Sequence, residues 1–294
     1  MASANALSIC ALPRIHVSPN PAALPPTAPV LQIAGARETL VASEIAKETA
    51  EMFEQDVILT TKHGRMPAFV ACPDGAGPFP PVIFYMDAPG TREELRNMAR
   101  RIAKNGYFCL LPDMYYRLGT VRFDIPRRDD AMSAVIRASM NSITNALVTD
   151  DTAAVIAWFD ANDKVKSGPV GCVGHCMSGC YITTVSARFP HRMTAAASLY
   201  GVNIVTDKPD SSHLLLPEIK GELYYAFAEH DQSVPAHVIP ELRASLAKTD
   251  VVNTVKVFEG THHGFCFAER MVYSPQAAEQ TWADIFDLFK RRLG

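Results

Sequence analysis

The 294-residue chain has no excess of charge of either sign: 28 Lys and Arg stand against 31 Asp and Glu, a formal net charge of −3. A protein that grips nucleic acid through its phosphates usually carries a basic excess or cluster, so no nucleic-acid partner is expected. No run of about 18 or more apolar residues is present, which leaves no candidate for a membrane-spanning helix in the sequence. There is also no Cys-x-x-Cys pair. The seven cysteines, at positions 10, 72, 109, 172, 176, 180 and 266, are odd in number and irregular in spacing. That pattern argues against a disulfide framework and for mostly buried thiols in a reducing compartment, the cytoplasm. Repeats of roughly 20–50 residues are missing too, which excludes a solenoid or propeller. What remains is a chain 48% apolar and 20% charged. A chain of this size can bury roughly 75% of its unfolded surface, so most of it is expected to fold.

Length alone would allow two domains of about 150 residues, but α/β folds often reach 250 as one. Residues 1–37 carry six prolines between Pro13 and Pro29 and no acid before Glu38. They read as a tail: proline denies helical hydrogen bonds, and the opening lacks the basic region of a secretory signal. A short targeting segment and a misassigned start both stay open. Over 38–54, Leu40, Val41, Ile45, Ala46 and Met52 or Phe53 recur at helical spacing, which predicts a helix. Residues 55–294 then alternate strand-like and helix-like runs without a shift in composition. Strands are expected at Val57–Thr61, Pro67–Ala71, Val82–Met86, Tyr107–Leu111, Val170–Val173, Ala195–Tyr200, Glu222–Ala228 and Asn253–Phe258. Helices are expected at Arg92–Lys104, Asp129–Leu147, Asp151–Asn162, Ser178–Phe189, His237–Lys248 and Gln276–Arg292. PPVIFYM and YFCLL are continuous apolar runs, as in strands buried on both faces of a parallel sheet. The expectation is one α/β domain with right-handed crossovers.

The stretch from Gly171 to Cys180, GCVGHCMSGC, follows a strand and opens a helix. A nucleophile there sits on a turn so sharp that small residues are needed around it, and Gly174, Ser178 and Gly179 meet that need around Cys176. A thiolate at a helix N-terminus is favoured by the dipole and by backbone N–H groups. The N–H of Met177 would be one oxyanion donor. The local motif alone leaves Cys176 equally readable as one more buried thiol. A metal site built from Cys172, Cys176 and Cys180 is weaker, because strand, turn and helix need not bring the three together. No metal and no organic cofactor is implied.

The order of residues downstream separates these readings. A hydrolase of this kind needs nucleophile, acid and histidine in that order, the last two each just after a later strand. The run Glu222–Ala228 leads into Glu229-His230-Asp231, and Asn253–Phe258 leads into Glu259-Gly260-Thr261-His262-His263. A histidine here takes the thiol proton or activates water, and an aspartate fixes its tautomer and stabilises imidazolium.

Taken together, these residues resemble the dienelactone hydrolase family, the cysteine-nucleophile branch of the α/β-hydrolases. The likeness runs from about Asp56 to Leu293. Its pieces are VIFYMDAPG at Val82–Gly90, LPDMYYR at Leu111–Arg117, GHCMSG at Gly174–Gly179, Tyr200-Gly201, HDQSVP from His230, and His263-Gly264-Phe265. The resemblance implies an α/β-hydrolase fold with helices on both faces of a mostly parallel sheet. It assigns Cys176 as nucleophile, Asp231 as acid in preference to Glu229, and His263 as base in preference to His262. It also implies that a carboxylate after the Val82–Met86 strand holds or activates the thiol and that the next N–H completes the oxyanion hole. These roles fall on Asp87 and Ala88. The family usually has glutamate there, about 1.5 Å longer, so Asp87 could orient rather than deprotonate, or simply cap its loop through an Asx turn before Pro89.

Three further residues are candidates for contact with substrate: His175 beside the nucleophile, and Tyr115 and Arg117 in the stretch after the Tyr107–Leu111 strand. Each could instead serve the core or a solvated loop. Asp113 is expected to shape its loop. In the family an arginine that clamps a substrate carboxylate stands four positions after the catalytic histidine. Here that position is Phe267, which argues against a carboxylated lactone. Arg117, Arg122, Arg127 and Arg128 are other possible anchors. The expected activity is hydrolysis of a small ester or lactone through a Cys-His-Asp triad and an acyl-enzyme. The alternatives are a general carboxylesterase or thioesterase of the same fold, or a silent binding protein. The region Val121–Leu147 is a candidate lid.

Overall fold

The structure is a computed structural model, and it describes residues 52–294. Met52–Thr61 (β1) and Gly64–Pro73 (β2) form an antiparallel hairpin in register from Met52 opposite Pro73 to Thr61 opposite Gly64. This corrects the helix expected over 38–54 at its end: Met52, Phe53 and Glu54 open a strand. Their apolar spacing suits a helix, but a ladder of cross-strand partners along β2 outweighs that local preference. The rest of that helix and the 1–37 tail lie outside the described residues.

Six further strands complete the sheet: β3 (Pro81–Tyr85), β4 (Phe108–Pro112), β5 (Val170–His175), β6 (Met193–Leu199), β7 (Glu222–His230) and β8 (Asn253–His262). The eight strands lie in the order β1-β2-β4-β3-β5-β6-β7-β8, with the β1–β2 and β2–β4 pairs antiparallel and all others parallel. Every residue of β3, β4 and β5 is buried. Since successive side chains face opposite sides of a sheet, both faces are covered. The chain leaves β3 toward β4 on one side and returns from β4 to β5 on the other. The reversal opens a crevice at the carboxyl ends of β3 and β5, where open α/β sheets bind ligands. Parallel register from Val82 opposite Gly171 to Tyr85 opposite Gly174 brings those two ends level.

The helices are α1 (Glu93–Lys104), α2 (Asp130–Asn141), α3 (Asn145–Asp160), α4 (Gly179–Arg188), α5 (Val238–Leu246) and α6 (Pro275–Arg292). Two glycines of β5 reveal how helices cover it. A Cβ on Gly171 would stand 3.0 Å from Phe289 of α6, and one on Gly174 would stand 2.8 Å from Ile182 of α4. Positions 171 and 174 face opposite sides, so α6 and α4 pack on opposite faces. The single helix expected over Asp129–Leu147 is instead two. Asp129 caps α2 by accepting the Met132 N–H at 2.7 Å, and Thr144 caps α3 by accepting the Leu147 N–H at 3.3 Å. A new N-cap at Thr144 ends one helix and restarts the chain in another direction, and the separate helix expected from Asp151 is the second half of α3. No helix among the described residues is long and apolar enough to cross a membrane.

Candidate active site

Cys176 leaves β5 and begins a single 3₁₀ turn, Cys176–Ser178, that runs into α4. Its φ is +52°, in the left-handed region that costs a residue with a side chain about 1–3 kcal/mol. The strain is locked from both sides. A Cβ on Gly174 would lie 2.7 Å from the Ser178 carbonyl oxygen, and one on Gly179 would run into the Gly201 Cα. Both positions therefore require glycine for close approach rather than for flexibility. The Val202 N–H donates to the Cys176 carbonyl at 3.0 Å. Tyr200 and Asn203, in the same neighbouring loop, also have positive φ, +39° and +56°.

Asp231 and His263 each follow a strand directly. His230 pairs with His262 across β7 and β8, so the next residue on each strand emerges beside the other. His263 Nδ1 lies 2.7 Å from Asp231 Oδ2, and Asp231 Oδ1 accepts the Ser233 N–H at 2.9 Å. With Nδ1 facing the carboxylate, Nε2 is the ring nitrogen left free, and Cys176 is close enough to contribute to the charge state of the imidazole. Burial opposes charging this imidazole, but the bond to Asp231 and the nearness of Cys176 outweigh it, and its pKa is raised to about 9. The neighbours turn elsewhere. Glu229 accepts the Gly260 N–H at 2.7 Å, and His262 packs its ring on His230. Consecutive strand residues face opposite sides, so His262 turns away where His263 turns in, while Glu229, two positions before Asp231, is held by the Gly260 N–H.

Asp87 is completely buried after β3, and its carboxylate does not cap the loop. Arg92 donates to it at 2.6 and 3.2 Å and Arg270 at 2.7 Å. The turn is closed by its backbone, the Gly90 N–H donating to the Asp87 carbonyl at 2.9 Å. The Asx-turn expectation therefore fails, because two guanidinium groups compete for the same oxygens. Arg92 also binds Glu94 at 2.8 Å. Both arginines stack on Phe267, their guanidinium carbons 5.0 and 4.1 Å from the ring centre. The sequence reading missed Arg92 and Arg270. They stand five positions after Asp87 and seven after His263, and only the aromatic ring at 267 signals that cations gather there.

The three expected substrate contacts are all otherwise engaged. Arg117 donates to Asp151 at 2.6 Å and lies over the Tyr116 ring. His175 has no exposed surface; its ring sits among Phe84, Tyr200, Phe267 and Trp282, and burial lowers its pKa to about 3. Tyr115 is buried, and its hydroxyl donates to the Ala88 carbonyl at 2.6 Å. The other basic candidates also have partners: Arg122 reaches Asp113 at 3.2 Å, Arg127 reaches Asp124 at 3.0 Å and Arg128 reaches Ser133 at 2.8 Å. Asp113 additionally accepts the Tyr115 N–H at 3.1 Å, an Asx turn.

A cavity of about 400 Å³ adjoins the turn, walled by Met177, Cys180 and Tyr181 on one side and Met140, Ile143 and Asn203 on the other. That volume is within the range of small-molecule sites. Among the described residues no cluster of three or more His, Cys, Asp or Glu is placed to hold a metal ion. Six described cysteines are unpaired, and Cys176 is the one among them that is not fully buried.

Comparison with known proteins agrees with this architecture. A mouse protein named carboxymethylenebutenolidase homolog is 30% identical over 194 residues, 66% of this chain and 71% of its own. A Synechocystis sp. protein provisionally named carboxymethylenebutenolidase is 27% identical over 240 residues, 81% of this chain and 96% of its own. Among solved structures, a Klebsiella pneumoniae protein provisionally named dienelactone hydrolase superposes with a TM-score of 0.73 at 21% identity, over 82% of this chain and 99% of that one. The model of the dienelactone hydrolase family matches residues 66–293. This chain belongs to that family of α/β-hydrolases.

Proposed function

We propose that this hydrolase cleaves a small neutral ester, lactone or thioester through an acyl-enzyme on Cys176. The observation that carries the reading is the 2.7 Å bond between His263 and Asp231, together with a cysteine held on a strained strand-to-helix turn near that imidazole. The Cys176 sulfur attacks the substrate carbonyl after its proton passes to His263. Charge collects on the carbonyl oxygen, facing the N–H groups of Met177 and Ala88. As the tetrahedral species collapses, the bond from the carbonyl carbon to the alcohol oxygen, or to the thiol sulfur of a thioester, breaks, and His263 gives its proton to the departing alkoxide or thiolate. Water then attacks the thioester while His263 takes its proton. The acid leaves, and the thiol is restored.

Asp87 is tied to Arg92 and Arg270 rather than to Cys176, which favours His263 as the resting partner of the sulfur. Phe267 stands where the family resemblance would put the carboxylate clamp, which supports an uncharged acyl group. One limb of the substrate fits the cavity bordered by Met177. Unpaired, mostly buried thiols support a reducing, cytoplasmic setting.

The test is turnover of a panel of lactones, aryl esters and acyl thioesters. Cys176→Ala should abolish it, and His263→Ala should lower it by orders of magnitude, while His262→Ala has little effect. Turnover that survives Cys176→Ala, or loss from His262→Ala with none from His263→Ala, would overturn the assignment.

A further inference from the structure

The triad reading leaves one buried hydroxyl unexplained. Tyr115 follows β4, yet its phenol touches both residues whose N–H groups are proposed to hold the oxyanion. It donates to the Ala88 carbonyl at 2.6 Å and makes a second, weaker contact with Met177 Sδ at 3.5 Å. We infer that Tyr115 is a positioning residue that sets the geometry of the oxyanion hole; the inference rests on the acyl-enzyme reading above.

The Ala88 N–H belongs to the peptide joining residues 87 and 88, and that peptide is restrained on every side. Ahead of it, the Ser178 hydroxyl donates to the Met86 carbonyl. Behind it, Tyr115 holds the Ala88 carbonyl. The Asp87 carbonyl accepts the Gly90 N–H, and the Asp87 side chain is fixed between Arg92 and Arg270. The Ala88 N–H itself has no backbone partner among the described residues. A donor whose peptide is held in place while its own hydrogen stays free is what a developing oxyanion needs.

Tyr115 is itself held. Its N–H donates to Asp113 at 3.1 Å, and its ring lies where a Cβ on Gly90 would approach to 3.2 Å. Gly90 has a φ of +79°, so the loop from Asp87 to Gly90 is wrapped tightly against the phenol. Burial, with the negative charge of Asp87 nearby, raises the phenol's pKa, so the proton stays available for the Ala88 carbonyl. Ser178 comes from the turn carrying the nucleophile and Tyr115 from the loop after β4. Two elements thus register the β3 loop against Cys176.

Tyr115→Phe removes only the hydroxyl. Removing an oxyanion donor outright costs roughly 10²–10³ in kcat. A loosened donor should cost less, so kcat for an aryl ester should fall roughly tenfold to a hundredfold with KM nearly unchanged. A substrate-like aldehyde, whose adduct with the thiol carries the oxyanion, should lose affinity in parallel. Alkylation of Cys176 by iodoacetamide needs no oxyanion and should keep its rate. Ser178→Ala should give the same signature and carries the test should the phenylalanine variant not fold. Wild-type kcat and aldehyde affinity in these variants, or an alkylation rate that falls as far as kcat, would overturn the inference. Failure of the acyl-enzyme reading looks different: turnover would then survive Cys176→Ala in the otherwise unaltered chain.

Discussion

His263 sets the charge state of the site near neutral pH. An isolated imidazole titrates near 6.5, whereas this one is raised to about 9 by Asp231 and Cys176 against the opposing effect of burial. A folded pKa above the unfolded one means that protonation favours the folded chain. That contribution is complete below about pH 6.5 and is lost as pH rises through about 9. The imidazole signals of His263 should therefore titrate near 9 by NMR and fall well below that in Asp231→Asn. The stability gap between the wild type and His263→Ala should shrink over the same interval. A wild-type midpoint near 6.5 would contradict the pairing. Asp231 and His263 were readable in the sequence because each directly follows a strand run, and His262 beside His263 is turned away by strand alternation. Arg92 and Arg270 were not. They converge through space on the Phe267 ring and on Asp87, and nothing in their spacing reports that meeting. Arg117, the last residue of LPDMYYR, pairs with Asp151 on a helix 34 positions away, a meeting that its place in the motif does not report.

The elements that build the site differ in how far local chemistry fixes them. β3, β4 and β5 are uninterrupted apolar runs, and burial on both faces leaves them no other favourable conformation. The break between α2 and α3 depends instead on one capping side chain, Thr144, inside a segment with helical spacing on both sides. β1 begins within a helical pattern because its partner, β2, lies later in the chain. The α2–α3 break leaves Met140, Ile143, Thr144 and Asn145 on the wall of the cavity beside Met177. Ile143 is buried and contributes side-chain volume there. Ile143→Trp should cut kcat/KM for esters with a bulky aryl limb by roughly tenfold, the size of effect small volume changes produce in apolar pockets. Acetyl esters of small alcohols should be much less affected. An unchanged ratio between the two substrate types would mean that the cavity does not receive substrate.

At the scale of the whole molecule, the reversal of strand order brings two loops together that lie far apart in sequence. The Asp87–Gly90 loop and the Cys176 turn leave level strand ends, so in the proposed mechanism the first would supply a backbone donor and the second the sulfur and another donor. The remaining described thiols are distributed so as not to compete. Cys72, Cys109, Cys172, Cys180 and Cys266 are buried, and burial raises the pKa of each, to about 12 for Cys180 and Cys266. They stay protonated and shielded at neutral pH, whereas Cys176 is partly exposed and lies near the His263 imidazole. A limited amount of iodoacetamide at pH 7 should therefore modify Cys176 ahead of the other five, and activity should fall in proportion to labelling, reaching zero at one equivalent on Cys176. Peptide mapping by mass spectrometry against residual turnover measures both. A silent binding protein of this fold could keep a reactive thiol but would have no turnover to lose. Even labelling across Cys176 and the five buried thiols described above would mean that the site does not single out its sulfur.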